Sequence, residues 1–327
     1  MSLIKAENLS KTFRIYNQGE GVTDYLKSFV TRDYREIDAV KELDLEISKG
    51  EIVGYIGANG AGKSTTVKML TGILEPSSGD ITVNGLNPYR NRKKNAMNIG
   101  VVFGQKTQLW WDLPVRESFK LLKEIYEVED DNYDERINEF SEVLGLDEFW
   151  DQPVRKLSLG QKMRCELAAA FLHQPPIVYL DEPTIGLDVS VKEKIRDFIK
   201  KMNSKNDITV MLTTHDIDDI EDLCERVIVL DEGKKIYDGR LDSLANKFSS
   251  RRLLVDLKDV DSFSLSLRGV EEVKTNDANV EITFDREKIS ASDLIKEILD
   301  EYEVIDFKIK EPDIEDVVKK MYREGIA

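Results

Sequence analysis

The chain has 327 residues, enough to bury a large core as one main domain and one small one. Hydrophobic residues are 41% of it and charged residues 34%, which fits a soluble globular protein, and no apolar run approaches the roughly 20 residues that cross a bilayer. The formal net charge of −16 argues against wrapping of nucleic acid, which needs Lys and Arg against phosphates, but leaves room for a nucleotide pocket built from a few donors.

The N-terminus has neither the apolar core nor the cleavage site of a secretory signal, and the two cysteines, Cys165 and Cys224, read as reduced thiols of a cytosolic protein rather than as a disulfide framework. Leu3 to Leu9 and Ala39 to Ile47 are predicted as edge-sheet strands with one wet face. Between them lies an insertion, about residues 16–38, in which Tyr25, Leu26, Phe29 and Val30 recur at helical spacing. It reads as a short amphipathic helix whose stripe is a packing face first and a partner or membrane-surface contact second.

Ile52 to Ile56 then reads as a short strand and Thr65 to Leu70 as a helix. Joining them, Gly57-Ala58-Asn59-Gly60-Ala61-Gly62-Lys63-Ser64 fits G-x-x-x-x-G-K-[ST], the phosphate-binding loop of nucleotide hydrolases. Glycines let the backbone turn its N–H groups inward, and the helix N-terminus adds a field that favours anionic oxygens. Lys63 is expected on the β- and γ-phosphates and Ser64 on Mg²⁺.

Strands are predicted at Ile81–Val83 and Ile99–Phe103, helices from Val115 to Leu146 around an acidic turn, and a helix from Ser158 to Leu172. Strand Ile177–Leu180, helix Ser190–Lys201, strand Thr209–Leu212, helix Ile217–Cys224 and strand Val227–Leu230 follow. This alternation predicts a mostly parallel sheet with helices on its faces. After Leu244 the pattern changes. Strands at Leu253–Leu257, Val280–Phe284 and Val304–Ile309, with helices at Ala291–Glu301 and Ile314–Tyr322, predict a small α+β domain over 248–327.

At the end of the Ile177–Leu180 strand stand Asp181 and Glu182. A carboxylate there can hold Mg²⁺ against nucleotide phosphates, which suits Asp181. Glu182, one residue further out, is expected as the general base or water-positioning group.

Just upstream, Leu157-Ser158-Leu159-Gly160-Gln161 resembles the signature sequence of ABC-type ATPases. The likeness continues at Gln105 (the Q-loop), Gly186-Leu187-Asp188 (the D-loop) and His215 (the switch histidine), in the family's order, up to about residue 243. Leu159 stands where many relatives have glycine. Within the family the chain most resembles the cassettes of ABC-2-type exporters, through its single cassette and its C-terminal extension.

The resemblance implies an α/β fold: a P-loop ATPase cassette of ABC type over 1–247, with a helical subdomain at about 106–174 and the accessory domain at 248–327. It implies a head-to-tail homodimer with two ATP sites. Lys63 and its loop, with Thr65, hold ATP from one subunit, while Ser158, Gly160 and Gln161 of the other meet the γ-phosphate. Gln105 coordinates Mg²⁺ or the attacking water, Asp188 organises the opposite site or caps its own helix, and His215 bonds the γ-phosphate. Phe13 sits at the position of the aromatic A-loop and stacks on adenine or serves as sheet packing, with Tyr16 as its replacement. The implied function is the ATP-binding and ATP-hydrolysing subunit that powers export by a separate ABC-2-type transmembrane permease, placed through it on the cytoplasmic face of the membrane. No direct nucleic-acid partner is expected. Rival readings are a soluble regulatory or nucleic-acid-linked ATPase, and an assembly module with little turnover.

Overall fold

The structure, a computed structural model, describes residues 2–16, 34–104, 106–247, 250–258, 263–276, 279–286 and 288–310. It divides into two compact units, Met1–Asp238 and Gly239–Ala327.

The first unit opens with a long ribbon, β1 (Ser2–Tyr16) against β2 (Tyr34–Ser48), and β4 (Ser78–Val83) on the other side of β1. The expected strands stop at Leu9 and start at Ala39, but the antiparallel ladder runs on to Tyr16 opposite Tyr34. Cross-strand pairs explain the extension: Phe13 faces Ile37, and Arg14 pairs with Glu36 at 3.0 Å. The predicted amphipathic helix around Tyr25 and Phe29 lies outside the described residues, as does the one at Ile314–Tyr322.

The second sheet has the order β5-β6-β7-β3-β8-β9, from Ile99–Phe103, Ile177–Asp181, Thr209–Thr213, Ile52–Gly57, Arg226–Asp231 and Lys234–Arg240. Its ladders from β5 through β8 are parallel. Strands such as Val178-Tyr179-Leu180 are buried because helices cover both faces of a parallel sheet, so they read as unbroken apolar runs. The helices are α1 (Lys63–Leu70), α2 (Arg92–Met97), α3 (Val115–Ile125), α4 (Asp130–Leu144), α5 (Leu159–Phe171), α6 (Val189–Asn206) and α7 (Ile217–Leu223). Phe198 of α6 takes Phe140 of α4 and Phe171 of α5 edge-on, each at 5.2 Å between centroids, and so locks three helices together.

The second unit begins with α8 (Leu241–Lys247) and continues with β10 (Ser250–Leu257), β11 (Val270–Thr275), β12 (Val280–Asp285), α9 (Ala291–Glu301) and β13 (Val304–Lys310). The strands form an antiparallel sheet of order β11-β12-β10-β13 over a separate core that includes Leu253, Val255, Ile282, Phe284, Leu294 and Ile298. The division after Asp238 falls ahead of the 247/248 boundary expected from the sequence.

Candidate active site

The C-terminal ends of the parallel strands bring the sequence-predicted groups together. β3 runs into the Gly57–Ser64 loop, and α1 leaves it with Gly62 at its N-cap in the left-handed region, φ 102°. A Cβ on Gly62 would stand 2.4 Å from the Ala39 carbonyl oxygen, so the turn needs both the conformation and the space of glycine. No side chain caps α1, which leaves its first N–H groups free of side-chain acceptors. The Lys63 ammonium folds over the loop and donates to the carbonyls of Gly57 at 2.6 Å and Ala58 at 3.2 Å. Burial lowers its pKa, while the charges of Glu182 and Asp181 oppose the shift.

Across from the loop, Ser64 Oγ donates to Asp181 Oδ2 at 3.4 Å, and Thr213 Oγ1 donates to Asp181 Oδ1 at 2.5 Å. Both carboxylate oxygens are therefore aimed. A hydroxyl and a carboxylate facing one another at the mouth of a phosphate loop form a donor set that suits a hard, oxygen-loving cation such as Mg²⁺. Glu182 follows in the left-handed region, φ 58°, a conformation that costs about 1–3 kcal/mol and clusters at functional sites. Its N–H donates to the Thr213 carbonyl at 2.9 Å, and its Oε1 stands 3.0 Å from His215 Nε2. Burial raises the Glu182 pKa; His215 and Lys63 pull it down and Asp181 pushes it up.

Ser158 caps α5. Its Oγ accepts from the Gln161 N–H at 3.2 Å, and Gln161 Oε1 accepts from the Ser158 N–H at 2.9 Å, a reciprocal capping box. Leu159, the departure from the family pattern, leaves this cap intact: it is exposed and lies over the turn at Gly186, whose built Cβ would meet its Cδ2 at 3.4 Å. Asp188 caps α6, accepting from the Val191 N–H at 3.0 Å and Ser190 Oγ at 2.9 Å, and these bonds hold its pKa down.

Phe13 is exposed, with the Lys11 ammonium 5.4 Å from its ring centroid. Gln105 lies outside the described residues. Two contributors went unread in the sequence. Thr213 is one, a buried strand residue like its neighbours. The other is Glu166 of α5, buried, which takes the Thr107 hydroxyl and the Gln108 N–H and so fastens the chain just past Gln105 to the signature helix. An acidic residue that, apart from Arg164, stands in an apolar stretch from Met163 to Phe171 was the available signal.

Residues 40–185 match the family model described as ABC transporter. The chain is 33% identical over 223 residues to the ABC transporter ATP-binding protein NatA of Bacillus subtilis, covering 68% of this chain and 90% of that protein. It is 28% identical over 294 residues to the linearmycin resistance ATP-binding protein LnrL of the same organism, covering 88% and 94%. The fold is similar to that of the dimeric ATP-binding cassette MJ0796 in a post-hydrolysis state bound to ADP and Pi: TM-score 0.60, 29% identity, 73% of this chain and 98% of that one.

Proposed function

This chain belongs to the ABC transporter family, and from that premise we propose that it is the subunit that binds and hydrolyses ATP to power export by a separate membrane-spanning subunit. The observation that carries this reading is the convergence of Lys63, Asp181, Glu182 and His215 at one end of the parallel sheet.

ATP phosphates lie along the Gly57–Ser64 loop. Lys63 exchanges two loop carbonyls for phosphate oxygens, which are charged and therefore stronger acceptors. Ser64 and Asp181, with Gln105, would hold Mg²⁺, which offsets the charge on the phosphate oxygens. The Glu182 carboxylate accepts the proton of a water attacking the γ-phosphorus, as ADP leaves. His215 Nε2 stands beside that carboxylate and turns its N–H to the γ-phosphate when nucleotide is bound. Phe13 supplies a ring face for adenine.

A second copy, packed head to tail, brings the α5 N-terminus with Ser158, Gly160 and Gln161 to the γ-phosphate. Exposed Leu159, Ile185 and Val189 cluster around Ser158 and Asp188 and support burial of this face by a partner. Among the described residues no helix is long and apolar enough to cross a membrane, so the membrane-spanning part of this reading falls to an ABC-2-type permease, with the cassette held at the cytoplasmic face.

Glu182→Gln tests the assignment, since it keeps size and removes basicity. Single-turnover hydrolysis is expected to fall to near zero while nucleotide binding and ATP-dependent dimer mass persist. Turnover near the wild-type rate would remove Glu182 from the chemistry.

A further inference from the structure

Asp219, in the first turn of α7, is a fully buried acid that none of the roles above uses. Both its oxygens are occupied. Oδ2 accepts from the Thr184 hydroxyl and from Thr214 Oγ1 at 3.3 Å, and Oδ1 accepts from Arg196 Nη1 at 3.3 Å. The three partners come from three segments of the site. Thr184 is two residues past Glu182, and its carbonyl accepts from the Leu187 N–H at 3.2 Å, closing the turn that delivers Asp188. Thr214 directly precedes His215, and its Oγ1 also accepts from the Asp216 N–H at 2.9 Å, so His215 is bracketed by a hydroxyl turn. Arg196 lies on α6, the helix that Asp188 caps.

Asp219 is also the middle rung of a ladder between the two helices. Lys192 pairs with Asp216, Arg196 with Asp219, and Lys200 with Asp222 at 2.6 Å. Spacing of four on α6 against three on α7 keeps the rungs on facing sides. The outer rungs involve partly exposed groups, and such pairs add little stability. In the middle rung Asp219 is fully buried and Arg196 nearly so. A buried charge is costly even when paired, and an apolar side chain of similar size would commonly hold two helices together as well. The polar arrangement adds direction: only an acceptor at this point fixes both hydroxyls at once.

We infer that Asp219 is a positioning residue for hydrolysis, fixing Thr184 and Thr214 so that Glu182 and His215 stand at their working separation, in register with the Asp188 turn. The inference rests on the ATPase reading above. Asp219 does not touch the nucleotide, so its effect is carried by the two threonines.

The test uses the full chain, with kcat and KM for ATP, ATP affinity by direct titration, and thermal unfolding. Asp219→Asn keeps the shape and removes the charge. Thr214→Val removes only the shared hydroxyl and leaves the Arg196 pair intact, so it remains informative should Asp219→Asn fail to fold. Thr214→Ser restores the hydroxyl. Expected is a fall in kcat of about tenfold to a hundredfold for the first two, the range that misplacing a reacting group by about 1 Å produces. ATP affinity stays within about twofold, because that binding does not pass through Asp219. Thr214→Ser should recover kcat, and the double variant Asp219→Asn/Thr214→Val should fall no further than the more affected single. The inference is overturned by unchanged kcat in folded variants, by a Thr214→Val loss that serine does not rescue, or by a loss of affinity and thermal stability in step with kcat. A wild-type chain without turnover would instead sink the ATPase reading itself.

Discussion

Lys63 holds a buried charge against the carbonyls of Gly57 and Ala58, which are the nearest substitutes for phosphate oxygens. Burial lowers its pKa, and the neighbouring carboxylates of Glu182 and Asp181 keep the ammonium favoured. Lys63→Ala removes the only long cationic reach within the loop. A hydrogen bond to a charged group contributes about 1.5–3 kcal/mol, so ATP binding should weaken by roughly ten- to a hundredfold, with hydrolysis falling further. ATP titration and initial rates on the folded variant check this, and unchanged values would assign the lysine to the loop's own structure. The side chains assigned to phosphate and water stood in the sequence as contiguous motifs, because each motif occupies one turn or strand end. Thr213 and Asp219 did not, because they act across elements: Thr213 aims Asp181 from the next strand, and Asp219 reaches Thr184 and Arg196 from another helix. The one trace of the latter in the sequence is the pairing of Lys192, Arg196 and Lys200 with Asp216, Asp219 and Asp222.

Between elements, His173 joins three at once. Its Nε2 donates to the Ile99 carbonyl at 3.1 Å at the start of β5, its ring stacks at 3.8 Å on Tyr126 just past α3, and it follows α5. Burial lowers its pKa to about 4 from an ordinary 6.5. The sign follows from which state takes the proton first. Above 6.5 the ring is neutral in both states; between 6.5 and about 4 the unfolded chain is protonated while the folded ring is not, so acidification favours unfolding. Between about pH 7.5 and 5 this costs about 2 kcal/mol. His173→Phe keeps an aromatic face for Tyr126 and cannot titrate. Urea unfolding at the two pH values should show the wild type losing about 2 kcal/mol more than the variant. Equal losses would place the acid sensitivity elsewhere. His173 carried no motif, and its role could be found only once β5 and α3 met. Element types were legible wherever an apolar period was long, as in α6, or an apolar run unbroken, as in β6. β9 and β11 went unread: Lys234-Lys235-Ile236-Tyr237-Asp238-Gly239-Arg240 and Val270-Glu271-Glu272-Val273-Lys274-Thr275 are mostly polar, and pairing with neighbouring strands makes them strands.

For the whole molecule, the remaining question is how hydrolysis reaches a membrane partner. A formal charge of −16 gives no general attraction to an anionic lipid surface, so attachment should run through a specific protein contact. Trp110 and Trp111 follow Gln105 in the sequence and are 38% and 54% exposed, so Trp111 leaves more of its surface open to a partner than it buries within the chain. The backbone beneath Trp111 is fixed: its carbonyl accepts from the Arg155 N–H at 3.0 Å, and Arg155 also pairs with Asp112. The Lys162 ammonium, four residues past Ser158, stands 5.6 Å from the Trp111 ring centroid, which sets the ring beside the signature helix. An apolar ring on a hydrogen-bonded backbone beside the α5 helix is a suitable anchor for a segment of the permease, because ordering it on binding costs little. Trp111→Ala should weaken recovery of the membrane complex by about 2 kcal/mol or more, the range of an interface anchor, and reduce partner-stimulated ATPase in proportion. ATP binding by the isolated chain should be unchanged, and circular dichroism and thermal unfolding should match the wild type, since an exposed ring contributes little to the core. Co-purification from detergent-solubilised membranes, with stimulated and unstimulated rates side by side, separates the two effects. Undiminished recovery and stimulation in the folded variant would move the coupling contact away from Trp111.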